Sequence, residues 1–160
     1  MQKLIIIGAS HAGLFCAEQL RSNGFDGDIT IIDRLAGMPL ERPPLSKAFL
    51  WAADADETKF RLRRDNWFFA QNVKFVDGRS VIRIDVTRQA IKLDDGSSHA
   101  YDWLVVATGA VPRQLAAAKN MNRAFVLRNP DDARAIRNSI PSSKRAIVIG
   151  GGYIGLEAAA

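Results

Sequence analysis

Two glycine-rich segments of this 160-residue sequence have the spacing that holds the phosphates of a dinucleotide. The first is Gly8-x-Ser10-x-x-Gly13, and the second, at residues 150–155, is a complete G-x-G-x-x-G. In such a segment the first glycine permits a sharp turn, and a small middle residue lets a pyrophosphate approach the backbone. The last glycine lets helix and strand pack closely. Both segments therefore predict nucleotide sites, provided that each joins a strand to a helix.

An acidic residue stands where the first site needs one. Asp33 lies twenty residues beyond Gly13 and directly follows the apolar run at residues 29–32. A carboxylate at that distance can accept a hydrogen bond from a ribose hydroxyl. The hydroxymethyl group of Ser10 takes up room that a middle glycine would leave, so a simple packing turn is the alternative interpretation. Strand, turn, helix, strand and acid in this order favour the dinucleotide site.

The elements that position these residues follow from the apolar spacing. Four consecutive apolar residues at 4–7 predict a strand that is buried on both faces. Apolar residues then recur at helical spacing between Leu14 and Leu20, and Gly24 predicts the end of that helix. A second strand at residues 29–32 completes a βαβ unit.

A charged loop with three prolines follows at residues 34–50. The prolines exclude regular structure until Ser46, which we expect to cap a short helix. Loops on a rigid scaffold often carry chemistry, which makes Arg42 and Lys47 candidate ligand-binding donors. The alternative is that both are surface charges.

The remaining pattern predicts further short elements. Residues 52–58 are polar and predict an exposed helix start or loop. We expect a helix at 65–70 whose three aromatic residues enter the core, and a helix that starts with Asn129-Pro130. The predicted strands are a third parallel strand at 73–76, a three-stranded meander at 80–84, 90–93 and 99–101, a buried strand at 103–107 and a further strand at 145–149.

Composition limits the classes of function. The sequence has no apolar run of the length that a membrane span needs, so we expect a cytoplasmic protein without membrane contact. Its single cysteine, Cys16, excludes an internal disulfide and a Cys-x-x-Cys pair, and we predict no metal site. The net charge of +5 is compatible with acidic partners, but no nucleic-acid recognition motif accompanies it. We therefore predict no nucleic-acid partner.

With these motifs in place, the sequence resembles the FAD-dependent ferredoxin, rubredoxin and putidaredoxin reductases of the pyridine nucleotide-disulfide oxidoreductase superfamily. The resemblance covers essentially the whole chain. It rests on ERPPLSK at residues 41–47, YDWLVVATGAVPR at residues 101–113 and GGGYIGLE at residues 150–157. The implied fold is α/β, with a Rossmann-like FAD-binding parallel sheet, a β-meander crossover and the start of a second, NAD-binding Rossmann-like domain. We place the first domain at residues 1–113 and the connection and truncated second domain at residues 114–160.

The resemblance also implies which residues bind the two nucleotides. It places the lysine of the RPPLSK motif, Lys47, beside the flavin ring, with Arg42 in the same motif. Glu157 corresponds to a residue that faces the nicotinamide and pairs with Lys47, and these two are the implied catalytic residues. The implied FAD contacts are Gly8, Ser10, Ala12 and Gly13 at the pyrophosphate, Asp33 with Arg34 at the ribose, Val81 at the adenine, and Ala107, Thr108, Gly109 and Arg113 near the cofactor. The implied NAD(P)H contacts are Gly150, Gly152 and Gly155.

By the same resemblance, the complete enzyme passes electrons from NAD(P)H through FAD to a small iron–sulfur protein or a rubredoxin. The sequence resembles only the N-terminal part of such enzymes, which leaves open whether the chain alone folds in part, binds FAD weakly or associates with itself through open surfaces. Whether the chain alone is catalytic is open as well. A related disulfide reductase would need a redox cysteine near the flavin, which the loop lacks. Two alternatives stay open, a related reductase with another acceptor and a non-catalytic nucleotide-binding or self-associating module. The choice between NADH and NADPH is also open.

Overall fold

The βαβ unit predicted at the start of the sequence is present in the computed structural model, which describes residues 1–51 and 57–160. The strands are β1 (Lys3–Ile7), β2 (Asp28–Ile32), β3 (Val73–Val76), β4 (Val81–Asp85), β5 (Ala90–Leu93), β6 (Ser98–Ala100) and β7 (Trp103–Val106). The α-helices are α1 (His11–Ser22), α2 (Ala48–Trp51), α3 (Trp67–Ala70), α4 (Pro130–Ser139) and α5 (Tyr153–Ala159). The prediction for residues 52–58 falls mainly on residues 52–56, which lie outside the described residues.

The chain forms two units, each with its own internal contacts. The first comprises residues 1–39 and 61–109, and the second comprises residues 40–60 and 110–160. The domain boundary at residue 113 stays a prediction.

A four-stranded parallel sheet is the framework of the first unit. Its strand order is β3-β2-β1-β7, so β1 pairs with β2 on one side and with β7 on the other. Ile6 lies opposite Ile31 in β2 and Val105 in β7. A parallel pair needs a crossover, and α1 provides the one between β1 and β2. The predicted third parallel strand is β3, next to β2.

Alternate residues of β1 enter two different cores. Leu4 and Ile6 pack in one cluster with Leu14 of α1, and Trp67 and Phe68 of α3 join the same cluster. Ile5 and Ile7 pack in the other cluster, against side chains of the meander strand β5 and Tyr101. Successive side chains of a strand point to opposite faces, so covering both faces requires the continuous apolar run that the sequence shows.

The antiparallel meander β4-β5-β6 covers the second face of the sheet. Strand β5 pairs with both β4 and β6, as the alternating pattern predicts. Ile91 and Leu93 of β5 are almost completely buried against the cluster that contains Ile5 and Ile7. The first unit therefore has three layers, with α1 and α3 on one face of the sheet and the meander on the other.

The second unit is built around the helix predicted after Asn129. Helix α4 begins with a complete capping box, in which the Asn129 side chain accepts from the Asp132 N–H at 3.0 Å and the Asp132 carboxylate accepts from the Asn129 N–H at 2.9 Å. Ala133 of this helix is buried in a cluster with Leu45 and Phe49. The loop at residues 40–50 and the helix α4 thus share one small core.

Three sequence predictions about strands and burial are wrong. Phe69 is 92% exposed, because α3 is a single turn and cannot direct three consecutive aromatic side chains to one face. Strand β7 lies at an edge of the sheet, which leaves Trp103 and Val106 exposed. Residues 145–149 form no strand, because the described residues supply no neighbouring strand for them to pair with, and Ile147 is 89% exposed.

Candidate functional site

The first glycine turn leaves no room for a side chain at its first position. Gly8 ends β1 with φ +109°, a conformation that other residues adopt rarely. A Cβ at this position would lie 2.8 Å from the carbonyl carbon of Ala107, which follows β7. The Gly8 N–H donates to the carbonyl of Ile32 at 2.7 Å, which fixes the turn against β2. The turn therefore lies at the carboxyl edge of the sheet, where open α/β sheets bind their ligands.

Gly13 brings α1 close to this turn. A Cβ there would lie less than 3.0 Å from the Gly8 carbonyl oxygen and 3.2 Å from the Ile6 side chain. Ser10 is the N-cap of α1, with an extended backbone, and its side chain makes no capping hydrogen bond. The N–H groups at the start of a helix need acceptors, and phosphate oxygens are suitable ones. The turn thus combines two closely packed glycines with a helix N-terminus that has no side-chain cap, and these residues fit the pyrophosphate of FAD.

Asp33 also contacts the glycine turn. One carboxylate oxygen accepts from the Ala9 N–H at 2.6 Å, and the other accepts from the Leu35 N–H at 2.8 Å. The carboxylate is half-buried and stabilises the turn through the residue after Gly8. Its role at the ribose stays a prediction. Each oxygen retains lone-pair capacity for a further donor, so that role is chemically open.

The other candidate FAD residues of the first unit lie on three different elements. Val81 opens β4 and packs on the cluster of the meander, and the exposed Arg34 follows β2 by two residues. Ala107 donates its N–H to the Ile7 carbonyl at 2.8 Å, and Gly109 has φ +69°. The segment from Ala107 to Gly109, including Thr108, therefore lies beside Gly8, and Ala12 lies in the first turn of α1.

The second unit brings together the two candidate catalytic residues. Lys47 Nζ lies 3.3 Å from Glu157 Oε1, although the two residues are 110 positions apart along the chain. Lys47 follows a 3-10 turn over Pro43–Ser46, and Glu157 lies on α5. Arg42 precedes the same turn and is half-buried, whereas Arg113 is exposed. Their cofactor roles stay predictions.

A serine that was predicted only as a helix cap is the third member of this cluster. The Ser46 hydroxyl donates to Glu157 Oε2 at 2.6 Å, and Ser46 is 5% exposed. The prediction that it caps a helix is wrong, because Ser46 ends the 3-10 turn and α2 begins at Ala48. The sequence did hold a signal, since Ser46 directly precedes Lys47 within the same short motif.

These neighbours favour the ionised form of Glu157. The Ser46 hydroxyl is the largest cause that lowers the pKa of the Glu157 carboxyl, and the Lys47 ammonium lowers the same pKa further. Glu157 therefore carries a negative charge at neutral pH and can hold the Lys47 ammonium. Fixed charges of this kind are the means by which a protein tunes a redox cofactor.

The second glycine turn repeats the geometry of the first. Gly150 has the same φ of +109° as Gly8, and Gly152 is the N-cap of α5 without a side-chain cap. A Cβ on Gly155 would lie less than 3.0 Å from the Gly150 carbonyl oxygen. In the first turn, a Cβ on Gly13 would make the same close contact with the Gly8 carbonyl oxygen. The sequence thus folds into two turns of one kind, and α5 also presents Glu157 to Lys47.

A parallel sheet with a glycine turn at its carboxyl edge defines an α/β dinucleotide-binding protein of the Rossmann type. The family model described as pyridine nucleotide-disulphide oxidoreductase matches residues 2–160. The chain belongs to this family.

Three similar proteins are named as reductases of ferredoxin, rubredoxin and putidaredoxin. The ferredoxin–NAD(+) reductase component of the p-cumate 2,3-dioxygenase system of Pseudomonas putida is 39% identical, over 100% of this chain and 40% of that protein. The rubredoxin–NAD(+) reductase of Pseudomonas putida is 36% identical, over 98% of this chain and 40% of that protein. The reductase in the covalent putidaredoxin reductase–putidaredoxin complex superposes with a TM-score of 0.90 at 39% identity, over 99% of this chain and 39% of that chain.

The chain therefore spans about 40% of the length of the curated relatives that it matches. No helix in the described part of the chain has the length and apolar character needed to span a bilayer. Within residues 1–51 and 57–160, no group of three or more His, Cys, Asp or Glu residues is arranged to hold a metal ion.

Proposed function

We propose that this chain supplies the FAD site and the first part of the NAD(P)H site of a flavin-dependent oxidoreductase. Electrons pass in this proposal from NAD(P)H to a small acceptor of the ferredoxin or rubredoxin type. The observation that carries the proposal is the pair of glycine turns with matching φ at Gly8 and Gly150. Two turns of this kind in one chain suit an enzyme that holds two nucleotides, since each one accepts one pyrophosphate.

The residues of the first unit bind and orient the cofactor. Gly8 permits the sharp turn beside Ala107, and Gly13 lets α1 begin close to that turn. The first turn of α1 offers its N–H groups to the phosphate oxygens. Asp33 accepts from the adenosine ribose. FAD, when bound, supplies the chemistry that accepts two electrons as a hydride and releases them one at a time.

The residues of the second unit set the charge at the reacting end. Lys47 supplies the positive charge beside the flavin ring, where such a charge favours the reduced cofactor. Glu157 faces the nicotinamide and holds Lys47 through their ion pair. Gly150, Gly152 and Gly155 receive the pyrophosphate of NAD(P)H.

The acceptor is proposed from the relatives and from charge. Two relatives are named for ferredoxin and rubredoxin, and the structural relative was solved with putidaredoxin. A net charge of +5 favours association with an acidic acceptor through electrostatic steering. Such steering weakens with salt, because ions screen charges beyond a distance of about 10 Å at 0.1 M ionic strength.

Anaerobic reduction tests this function. The FAD-loaded chain is mixed with NADH or NADPH, the visible flavin band is followed, and an oxidised rubredoxin is then added. The proposal predicts bleaching by a nicotinamide and recovery of the band with the acceptor. A loaded chain whose band neither nucleotide changes would contradict the assignment of NAD(P)H binding to the second glycine turn.

One observation favours a second candidate, a non-catalytic module that associates with itself. Ile147, Ile149 and Tyr153, around the second glycine turn, are each more than 70% exposed. Exposed apolar side chains in one segment are typical of interaction surfaces. Sedimentation velocity over a concentration series distinguishes the candidates: a colourless chain whose mass rises with concentration favours the module, and a flavin-binding monomer favours the reductase.

A further inference from the structure

The two oxygens of Glu157 have different partners. Oε2 accepts the hydrogen bond of the Ser46 hydroxyl at 2.6 Å, and Oε1 faces the Lys47 ammonium at 3.3 Å. One partner is neutral and the other is charged. They are consecutive residues, so the same short turn positions both.

The surroundings of these two partners differ as well. Ser46 is 5% exposed, and its turn is closed by hydrogen bonds from the Leu45 N–H to the Arg42 carbonyl at 3.0 Å and from the Lys47 N–H to the Pro44 carbonyl at 2.9 Å. The Lys47 side chain is 57% exposed. Exposed ion pairs with lysine contribute little and break easily, whereas a buried hydroxyl keeps its geometry. Ser46 is therefore the rigid partner of Glu157, and Lys47 is the mobile one.

We propose that Ser46 is a positioning residue whose hydroxyl fixes the Glu157 carboxylate, so that Oε1 stays directed at Lys47 whether or not the ammonium is paired. The Ser46 hydrogen bond also favours the ionised carboxylate, since it is the largest single cause that lowers the pKa of Glu157. The packing of α5 agrees with this role, since Ala158, next to Glu157, joins the cluster of Leu45 and Phe49.

The effect of Ser46 on the flavin rests on the proposed function. The Lys47 ammonium can leave Glu157 for a negative charge on the cofactor and return to an acceptor that has not moved. Without the Ser46 hydroxyl, Glu157 would lose its place each time the ion pair opened. Ser46 would then change the energetics of the flavin without touching it.

The test is a double-mutant cycle read by carbon NMR of the Glu157 side-chain carboxyl during a pH titration. Ser46→Ala is compared with the natural residue, first with Lys47 present and then in the Lys47→Met background. We expect Ser46→Ala to raise the titration midpoint of Glu157 in both backgrounds. Ser46→Cys, whose thiol is a weak hydrogen-bond donor, should raise the midpoint too, and Ser46→Thr should restore it.

A matched control removes a serine hydroxyl from the same unit without affecting Glu157. The Ser139 hydroxyl donates to the Ile136 carbonyl at 2.7 Å, so Ser139→Ala should leave the Glu157 midpoint unchanged. Amide spectra recorded at neutral pH establish that each variant is folded.

Two results would overturn the proposal. The first is a Ser46→Ala effect that vanishes in the Lys47→Met background, because the hydroxyl would then act only through the ion pair. The second is a midpoint in Ser46→Thr as high as in Ser46→Ala. The titration needs no flavin, so a chain that fails to bind FAD would contradict the proposed function and leave this result standing.

Discussion

Gly13 is the residue at which the first turn tolerates a side chain least. A Cβ there would meet the Gly8 carbonyl oxygen at less than 3.0 Å, and backbone cannot move aside as a flexible side chain can. We expect Gly13→Ala to lower the free energy of unfolding in urea by about 2 kcal/mol, as overpacking of a well-packed site does. The variant should also lose FAD affinity, because α1 is displaced from the pyrophosphate.

Gly151→Ala is the matched control for this change. A Cβ at Gly151 would meet nothing within 4 Å, and its φ is not positive. Its stability should stay within about 0.5 kcal/mol of the natural chain, as for most surface substitutions. Equal losses in the two variants would show that close packing at Gly13 is not the cause.

The pH dependence of stability follows from Glu157. Its pKa is lowered in the folded chain, so its contacts stabilise the fold above the pKa of the unfolded state and are lost as the pH falls through the folded value. Thermal unfolding should therefore show a smaller loss of stability on acidification in Glu157→Gln than in the natural chain. The difference should develop below about pH 5, where unfolded glutamate begins to take up its proton. Parallel curves for the two proteins at all pH values would contradict the ion pair and the Ser46 contact.

For individual residues, the sequence predicts local backbone conformation better than it predicts contacts between distant side chains. The positive φ of Gly8 and the close approach at Gly13 follow from the spacing, because only glycine permits them. The contact of Ser46 with Glu157 could not be predicted by local patterns, since 111 positions separate the two. Asp33 shows the same limit, because its bond to the Ala9 N–H depends on how β2 lies beside β1.

Among the elements, α4 is the one whose stability depends most clearly on a named cap. Asn129 and Asp132 satisfy each other's backbone N–H groups, and Asp132 also accepts from the Arg128 N–H at 2.8 Å. We expect Asn129→Ala to cost about 1 kcal/mol of unfolding free energy, the usual effect of losing an N-cap. Chemical denaturation followed by circular dichroism measures it.

Asn138→Ala is the control for this prediction, because it makes the same change at an exposed position in the last turn of the same helix, away from the capping box. Alanine is the better helix former there, so this variant should be equal to or more stable than the natural chain. A loss of similar size in both variants would mean that the capping box does not stabilise α4.

Elements with their own local signals were predicted well from the sequence. Helix α1 ends at Ser22, just before the predicted stop at Gly24, and α4 begins at the predicted Asn129-Pro130. Elements that depend on a neighbour were predicted less well. Residues 145–149 have a strand composition but find no partner among the described residues, and Phe69 is exposed because a single helical turn has one buried face.

For the whole molecule, the sequence predicts that both faces of β1 are covered. The continuous apolar run of β1 required α1 on one face and a second layer on the other, and the meander fills that place. The division into two units was less accessible, since residues 40–60 and 110–160 come from distant parts of the chain. Patterns of short range do not encode which distant segments share a core.

Retention of FAD by the purified chain is the direct test of whether its first glycine turn holds the cofactor. The purified chain is incubated with excess FAD, desalted, and examined by its visible absorption spectrum, with Gly13→Ala treated in parallel. We expect about one flavin per chain in the natural protein and a clear loss in the variant, because one glycine turn accepts one pyrophosphate. A colourless natural chain, or equal retention in both proteins, would contradict it.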